Sequence, residues 1–189
     1  MYDRRMPPDA TETKRRLMKA AIDEFATYGL AGARVDRIAE QASANKRSIY
    51  MHFGAKEDLF DKVVADSMVE LAEAVSVDAG DLPGYAGRLF DALEKRPHVR
   101  RLYLWAGLER PQPIAAEVEE YRRNVAAISA AQDEGRVRAD IPAIDLLAMV
   151  VALVISQDTA SWSLKSLRAE SSSAGRKAVT AAVEGLIRP

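Results

Sequence analysis

The chain has 189 residues, 48% hydrophobic and 29% charged, enough for one large folded domain or a small one joined to a medium one. It contains no cysteine, which excludes disulfides and thiolate metal sites and fits a reducing compartment. The formal net charge of −1 hides an asymmetry: up to Lys56, eleven basic side chains stand against seven acidic ones, so that segment carries +4 and the remainder −5.

Residues 1–10, MYDRRMPPDA, are polar and broken by proline, and they read as a disordered arm. A first helix is expected from about Thr11 to Tyr28, with Leu17, Ala21 and Phe25 spaced by four and Gly29 as its stop. Its Lys14-Arg15-Arg16 cluster lies in the first turns, where the helix dipole gives cations no help. A nearby phosphate and a plain exposed face both explain that cluster.

The stretch from Arg34 to Phe60, RVDRIAEQASANKRSIYMHFGAKEDLF, is the most specific part of the chain. Val35, Ile38, Ala39 and Ala42 form one apolar face of helical period. Ser43-Ala44-Asn45 interrupts it, and Asn45 is placed to cap a second short helix from Lys46. In that helix only Ile49 and Phe53 can anchor, so Lys46, Arg47, Ser48, Tyr50 and His52 are left for the surface. Two short helices about a tight turn form a helix-turn-helix, whose second helix presents its N-terminal side chains to base edges in the major groove. Lys46, Arg47, Ser48 and Tyr50 are the base-reading candidates, and Arg37, His52 and Lys56 the phosphate candidates. Arg4 and Arg5 either reach DNA from the arm or stay in solvent.

From Thr13 to Val64 the chain resembles the DNA-binding domain of the TetR (tetracycline repressor-like) transcriptional regulators. The resemblance rests on Phe25, Tyr28-Gly29, Val35, Ile38-Ala39, Ile49-Tyr50, His52-Phe53-Gly54 and Lys56-Glu57-Asp58-Leu59-Phe60. It implies an all-α fold: a three-helix helix-turn-helix head over residues 11–55 and a helical ligand-binding and dimerisation domain over 56–189. Three residues depart from the family pattern. Arg34 stands where Thr or Ser usually caps the first motif helix, Ser43 replaces a turn glycine, and Ala55 replaces a Ser or Asn cap. Arg34 is read as an added phosphate contact.

A fourth helix, Lys56 to about Val77, is too long for the head alone and reads as a connecting rod, ended by Gly80-Asp81-Leu82-Pro83-Gly84. Further helices are expected over Tyr85–Lys95, His98–Leu108, Ile114–Glu134, Pro142 to about Leu167 and Ala174–Ile187. The last two are unusually apolar, and a helix apolar on all sides needs burial on all sides. The resemblance implies that they pair with their symmetry mates in a homodimer through Leu147, Val151, Val154, Val179, Val183 and Leu186, burial within a monomer being the alternative. Phe90, Tyr103, Trp105, Tyr121 and Trp162 read either as lining a pocket for a small hydrophobic or amphipathic effector or as plain core.

Nothing in the chain proposes catalysis or a cofactor. His52 and His98 are its two histidines, and neither a HExxH pair nor a phosphate-cradling glycine loop is present. The longest apolar run, Leu146 to Ile155, falls far short of the ~18 residues of a membrane span. With no signal-peptide pattern, a cytoplasmic, ligand-responsive repressor on an operator of double-stranded DNA is the expectation. The rivals are a DNA-binding regulator whose second domain docks a protein, and a small helical enzyme.

Overall fold

The computed structural model describes residues 10–109, 113–167 and 172–188. The expected N-terminal arm lies outside them except for Ala10, which opens the first helix. Every regular element among the described residues is helical: α1 (Ala10–Gly32), α2 (Val35–Gln41), α3 (Lys46–Phe53), α4 (Lys56–Ala74), α5 (Leu82–Lys95), α6 (Pro97–Glu109), α7 (Ala115–Asp133), α8 (Ala143–Val154), α9 (Ser156–Thr159), α10 (Trp162–Ser166) and α11 (Ser172–Ile187). They form two compact units, one of residues up to Met68 with His98–Ile114, the other of Val69–Pro97 with Ala115–Pro189.

The first unit is built on the stripe that the sequence marks in α1. Leu17, Ala21 and Phe25 are fully buried, and the Phe25 ring meets Phe60 of α4 edge to face with centroids 5.1 Å apart. Ile38, Ile49, Leu59, Val63 and Leu102 complete the same core. Aromatic pairs in this geometry add about 0.5–1.5 kcal/mol beyond their area. α1 breaks at Gly29, whose φ of +66° is left-handed and suits a residue without Cβ. A break of this kind orphans carbonyls before it and N–H groups after it. Charged side chains of α6 satisfy both sets. The Arg101 guanidinium donates to the carbonyls of Ala26 (2.5 Å) and Thr27 (3.1 Å), while the Glu109 carboxylate accepts from the N–H groups of Leu30 (2.5 Å) and Ala31 (3.1 Å). Between them Trp105 packs so closely on Gly29 that a Cβ there would lie 2.7 Å from its ring.

In the second unit α5 packs on α11 and α8, and α7 on α8. The Gly80–Gly84 punctuation also starts a helix: Asp81 caps α5 by accepting from the Gly84 N–H at 2.8 Å, and Pro83 sits in the first turn. The single helix expected from Pro142 to Leu167 is three shorter ones. Ile155 leaves helical geometry (φ −89°, ψ 5°), Ala160 is extended, and the Ser161 hydroxyl starts α10 by accepting from the Leu164 N–H. Polar Ser156-Gln157-Asp158-Thr159 has no apolar period to hold a longer helix together.

Candidate functional site

The turn between α2 and α3 places the recognition surface. Asn45 is extended and its side chain accepts from the Arg47 N–H at 2.8 Å, starting α3 where the sequence predicts. Ile49 and Phe53 are buried, pinning one side of α3 to the core and turning Lys46, Arg47, Tyr50 and Met51 outward. Met51 is 71% exposed beside Tyr50, an apolar side chain on the outward side of a short helix.

The three departures from the family pattern are handled differently. At Arg34 no side chain caps α2; instead the buried Glu24 carboxylate of α1 accepts from the Arg34 N–H at 2.7 Å. At Ala55, Asp58 reaches back and accepts from the N–H at 2.8 Å, one half of a capping box. Ser43 has no such remedy: it takes the glycine conformation, with φ +48°.

The cations read as DNA contacts fall into two groups. Arg47 is exposed, and its guanidinium has no partner among the described residues. Arg34 projects an exposed side chain from the start of α2, and Tyr50 is 49% exposed. Lys46 pairs with Asp36 of α2 at 2.8 Å, a hydrogen bond that holds the Asp36 carboxyl below its ordinary range and raises the lysine. Both side chains of that pair are exposed. Ser48 is half-buried, and His52 lies half-buried against the Phe53 ring. Lys56 spends one of its three donors on the Ala33 carbonyl at 3.2 Å.

Arg37 is engaged within the head. Its guanidinium pairs with buried Glu24 at 2.6 Å, donates to the Gly32 carbonyl at 3.0 Å and lies 4.3 Å over the Tyr28 ring. It neutralises a carboxylate that the fold has buried, which gives it a structural role inside the head. The Lys14-Arg15-Arg16 cluster also divides: Arg15 pairs with Glu12 at 2.8 Å, Arg16 is half-buried, and exposed Lys14 reaches over the Phe53 ring at the end of α3.

The residues read as dimer contacts are mostly core. Leu147, Val154, Val179 and Val183 are buried within their own unit, where α8 meets α11 and α5, and Val151 and Leu186 are half-buried. The exposed residues of α8 are Ile144, Asp145, Ala148, Met149 and Ala152, and those of α11 are Ala174, Lys177, Ala178, Ala181, Ala182, Glu184 and Gly185. The hydrophobicity of these helices marks which are buried, and on α11 the uncharged residues left outside are alanines and a glycine.

The five aromatics read as pocket lining are likewise dispersed. Phe90 is buried core of α5, and Trp105 is taken up by Gly29. Tyr103 lies half-buried on α6. Trp162 is 84% exposed with the Lys165 ammonium 4.9 Å over its ring, because α10 has left the apolar helix it was assigned to. Tyr121 stands at the edge of α7 and donates a hydrogen bond to Glu117. Among the described residues no group of His, Cys, Asp and Glu could hold a metal ion, and no helix is long and apolar enough to cross a membrane.

Comparison with known proteins agrees with this architecture. Residues 17–63 match the family described as bacterial regulatory proteins, tetR family, and residues 81–185 match the tetracyclin repressor-like C-terminal domain. The chain is 44% identical over 149 residues to the HTH-type transcriptional repressor SCO4008 of Streptomyces coelicolor, covering 77% of this chain and 78% of that one. The crystal structure of the transcriptional regulator SCO4942, also from Streptomyces coelicolor, superimposes with a TM-score of 0.81 at 35% identity, over 94% of this chain and 99% of that one. A fatty acid degradation regulator, FadR from Bacillus halodurans, shares the fold alone: TM-score 0.71 at 17% identity, over 93% of this chain and all of that one. A helix-turn-helix head with an outward α3, a helical second unit and family matches over both make the chain a DNA-binding transcriptional regulator, not an enzyme, and a member of the TetR family.

Proposed function

We propose that this regulator is a ligand-responsive, cytoplasmic repressor that binds a pseudo-palindromic operator as a homodimer. The observation that carries the DNA reading is α3 itself, held by Ile49 and Phe53 and presenting Lys46, Arg47, Tyr50 and Met51 together. Arg47 and Lys46 suit guanine edges, Tyr50 and Met51 suit thymine methyl groups, and Ser48 pairs with either kind of base. Arg34, Lys56, His52 and Lys14 flank α3 as phosphate contacts. Repression follows the relative SCO4008, which is named a repressor.

The second copy is expected on the exposed faces of α8 and α11. Small residues at 174, 178, 181, 182 and 185 share one face of α11 and allow close helix approach, with Ile144 and Met149 supplying apolar area. An isologous dimer of this kind places two α3 helices about 34–36 Å, or a multiple, apart along one side of the duplex. An effector bound in the second unit would shift the population toward dimers whose heads miss that spacing.

Selection of bound sequences from random DNA tests the proposal. It is expected to return a two-fold-symmetric site. On that site Arg47→Ala should weaken binding and reduce the slope of log affinity against log salt by up to about 1. Arg37→Ala should lower the melting temperature and leave the salt slope unchanged. An unchanged affinity for Arg47→Ala together with Lys46→Ala would remove α3 from the interface.

A further inference from the structure

Asp36, the second residue of α2, and Lys46, the first of α3, join their side chains across the turn of the head, with the ammonium 2.8 Å from the carboxylate. The fold has little need of this pair. Lys46 is 47% and Asp36 61% exposed, and an exposed pair adds little to stability. The two helices are already fixed by buried Val35, Ile38, Ala39, Ile49 and Phe53. A carboxylate here also repels the phosphates that Arg34 and Arg47 on the same two helices would attract. An acidic residue in the first turn of α2 does suit the helix dipole, but a carboxylate turned to solvent would serve that role as well. This one is turned to the first residue of the recognition helix.

Lys46 and Asp36 thus stand side by side as a donor and an acceptor at the N-terminal end of α3, the part of a recognition helix that meets base edges. In a G·C pair the guanine O6 and the cytosine N4 are hydrogen-bonded to each other, lie about 2.9 Å apart and both face the major groove. The 2.8 Å spacing of the protein couple matches them. The ammonium has three donors and the carboxylate two oxygens, so the pair can stay joined while one donates to O6 and the other accepts from N4. The guanine N7 beside O6 gives the ammonium a second acceptor. An A·T pair offers the same two groups in a worse setting: a carboxylate on adenine N6 lies beside the N7 acceptor, and an ammonium on thymine O4 lies beside the methyl group. The couple therefore favours G·C, with cytosine on the Asp36 side. A phosphate offers the carboxylate nothing to accept.

We infer that Asp36 is a base-reading residue, accepting from the amino group of a cytosine whose paired guanine is held by Lys46. This rests on α3 being the recognition helix, as proposed above, and adds to it a contact from α2. The test selects bound sequences from random DNA with the full-length wild type, Asp36→Ala, Asp36→Asn and Glu40→Ala, the last a charge-matched control at another exposed carboxylate of α2. The wild type and Glu40→Ala are expected to return the same site, with one G·C position in each half that Asp36→Ala no longer requires. Replacing that pair in the selected site should weaken wild-type binding about 5-fold or more and change Asp36→Ala binding by less than about 2-fold. Asparagine keeps one acceptor and gains a donor, so Asp36→Asn should admit adenine at that position. On DNA of unrelated sequence Asp36→Ala should bind more tightly, with a salt slope steeper by up to about 1, because Lys46 is released to phosphate. The same site returned by both Asp36 variants, a lost position that is A·T, or loss of the same position in Glu40→Ala would each overturn the inference. A lower melting temperature with unchanged base preference would overturn it too, by confining Asp36 to the start of α2. If Lys46→Ala and Arg47→Ala weaken binding while the Asp36 variants keep the site, the Asp36 assignment falls alone; if all leave affinity and site unchanged, the recognition-helix assignment falls with it.

Discussion

Ser43 shows how a single residue can depart from a family pattern and remain in place. A left-handed conformation in a residue with a Cβ costs roughly 1–2 kcal/mol, and glycine avoids this at a smaller entropic loss. Ser43→Gly is therefore expected to stabilise the first unit by about 0.5–1 kcal/mol, read as a higher urea midpoint at constant slope. A lower midpoint would mean that the serine hydroxyl makes a compensating bond. The cap at Asn45 was legible from sequence because it needs only local chemistry, an acceptor two residues before a free N–H. The role of Arg37 was not. Its partner Glu24 lies 13 residues earlier, and nothing local distinguishes an arginine bound to a buried carboxylate from one awaiting a phosphate.

At the scale of elements, helix starts were easier to read than helix ends. Asn45 and Asp81 mark their helices by a short-range capping pattern. The end of α8 has no glycine or proline, and the apolar run continues to Ile155, so only the loss of period after it signals the break. On α7, Glu117 and Glu120 are half-buried, on the same helical stripe as buried Asn124, Ile128 and Ala131. This placement has a pH signature. A carboxyl whose value is raised on folding binds its proton more tightly in the folded state, so its contribution to stability is full below the ordinary value of 4.5 and falls as the pH climbs through the raised one. The difference in unfolding free energy between the wild type and Glu117→Gln should thus shift against the wild type as pH rises above 4.5. A flat difference across that range in paired urea titrations would place the carboxyl in water.

For the whole molecule, the all-helical architecture and the DNA-binding head were readable because both depend on periodicity and a compact ordered motif. Which side chains of α8 and α11 stay outside was not, because hydrophobicity ranks residues by their wish to leave water and cannot say which of them the chain's own core receives. Leu147 and Val183 go to the core, leaving Met149 and the alanines of α11 outside. Met149→Glu combined with Ala178→Glu is expected to give a folded monomer in sedimentation, with operator affinity lower by about 100-fold or more as the two half-sites cease to be bound together. A double variant that stays dimeric would move the interface elsewhere.

The break in α1 has a consequence for following the protein in motion. The amides of Leu30 and Ala31 are held by a carboxylate 79 and 78 positions further along the chain, not by their own helix. Their protons are shielded from solvent exchange only while Glu109 stays in place. These two amides form a natural probe, needing no label, of whether α6 is docked on α1.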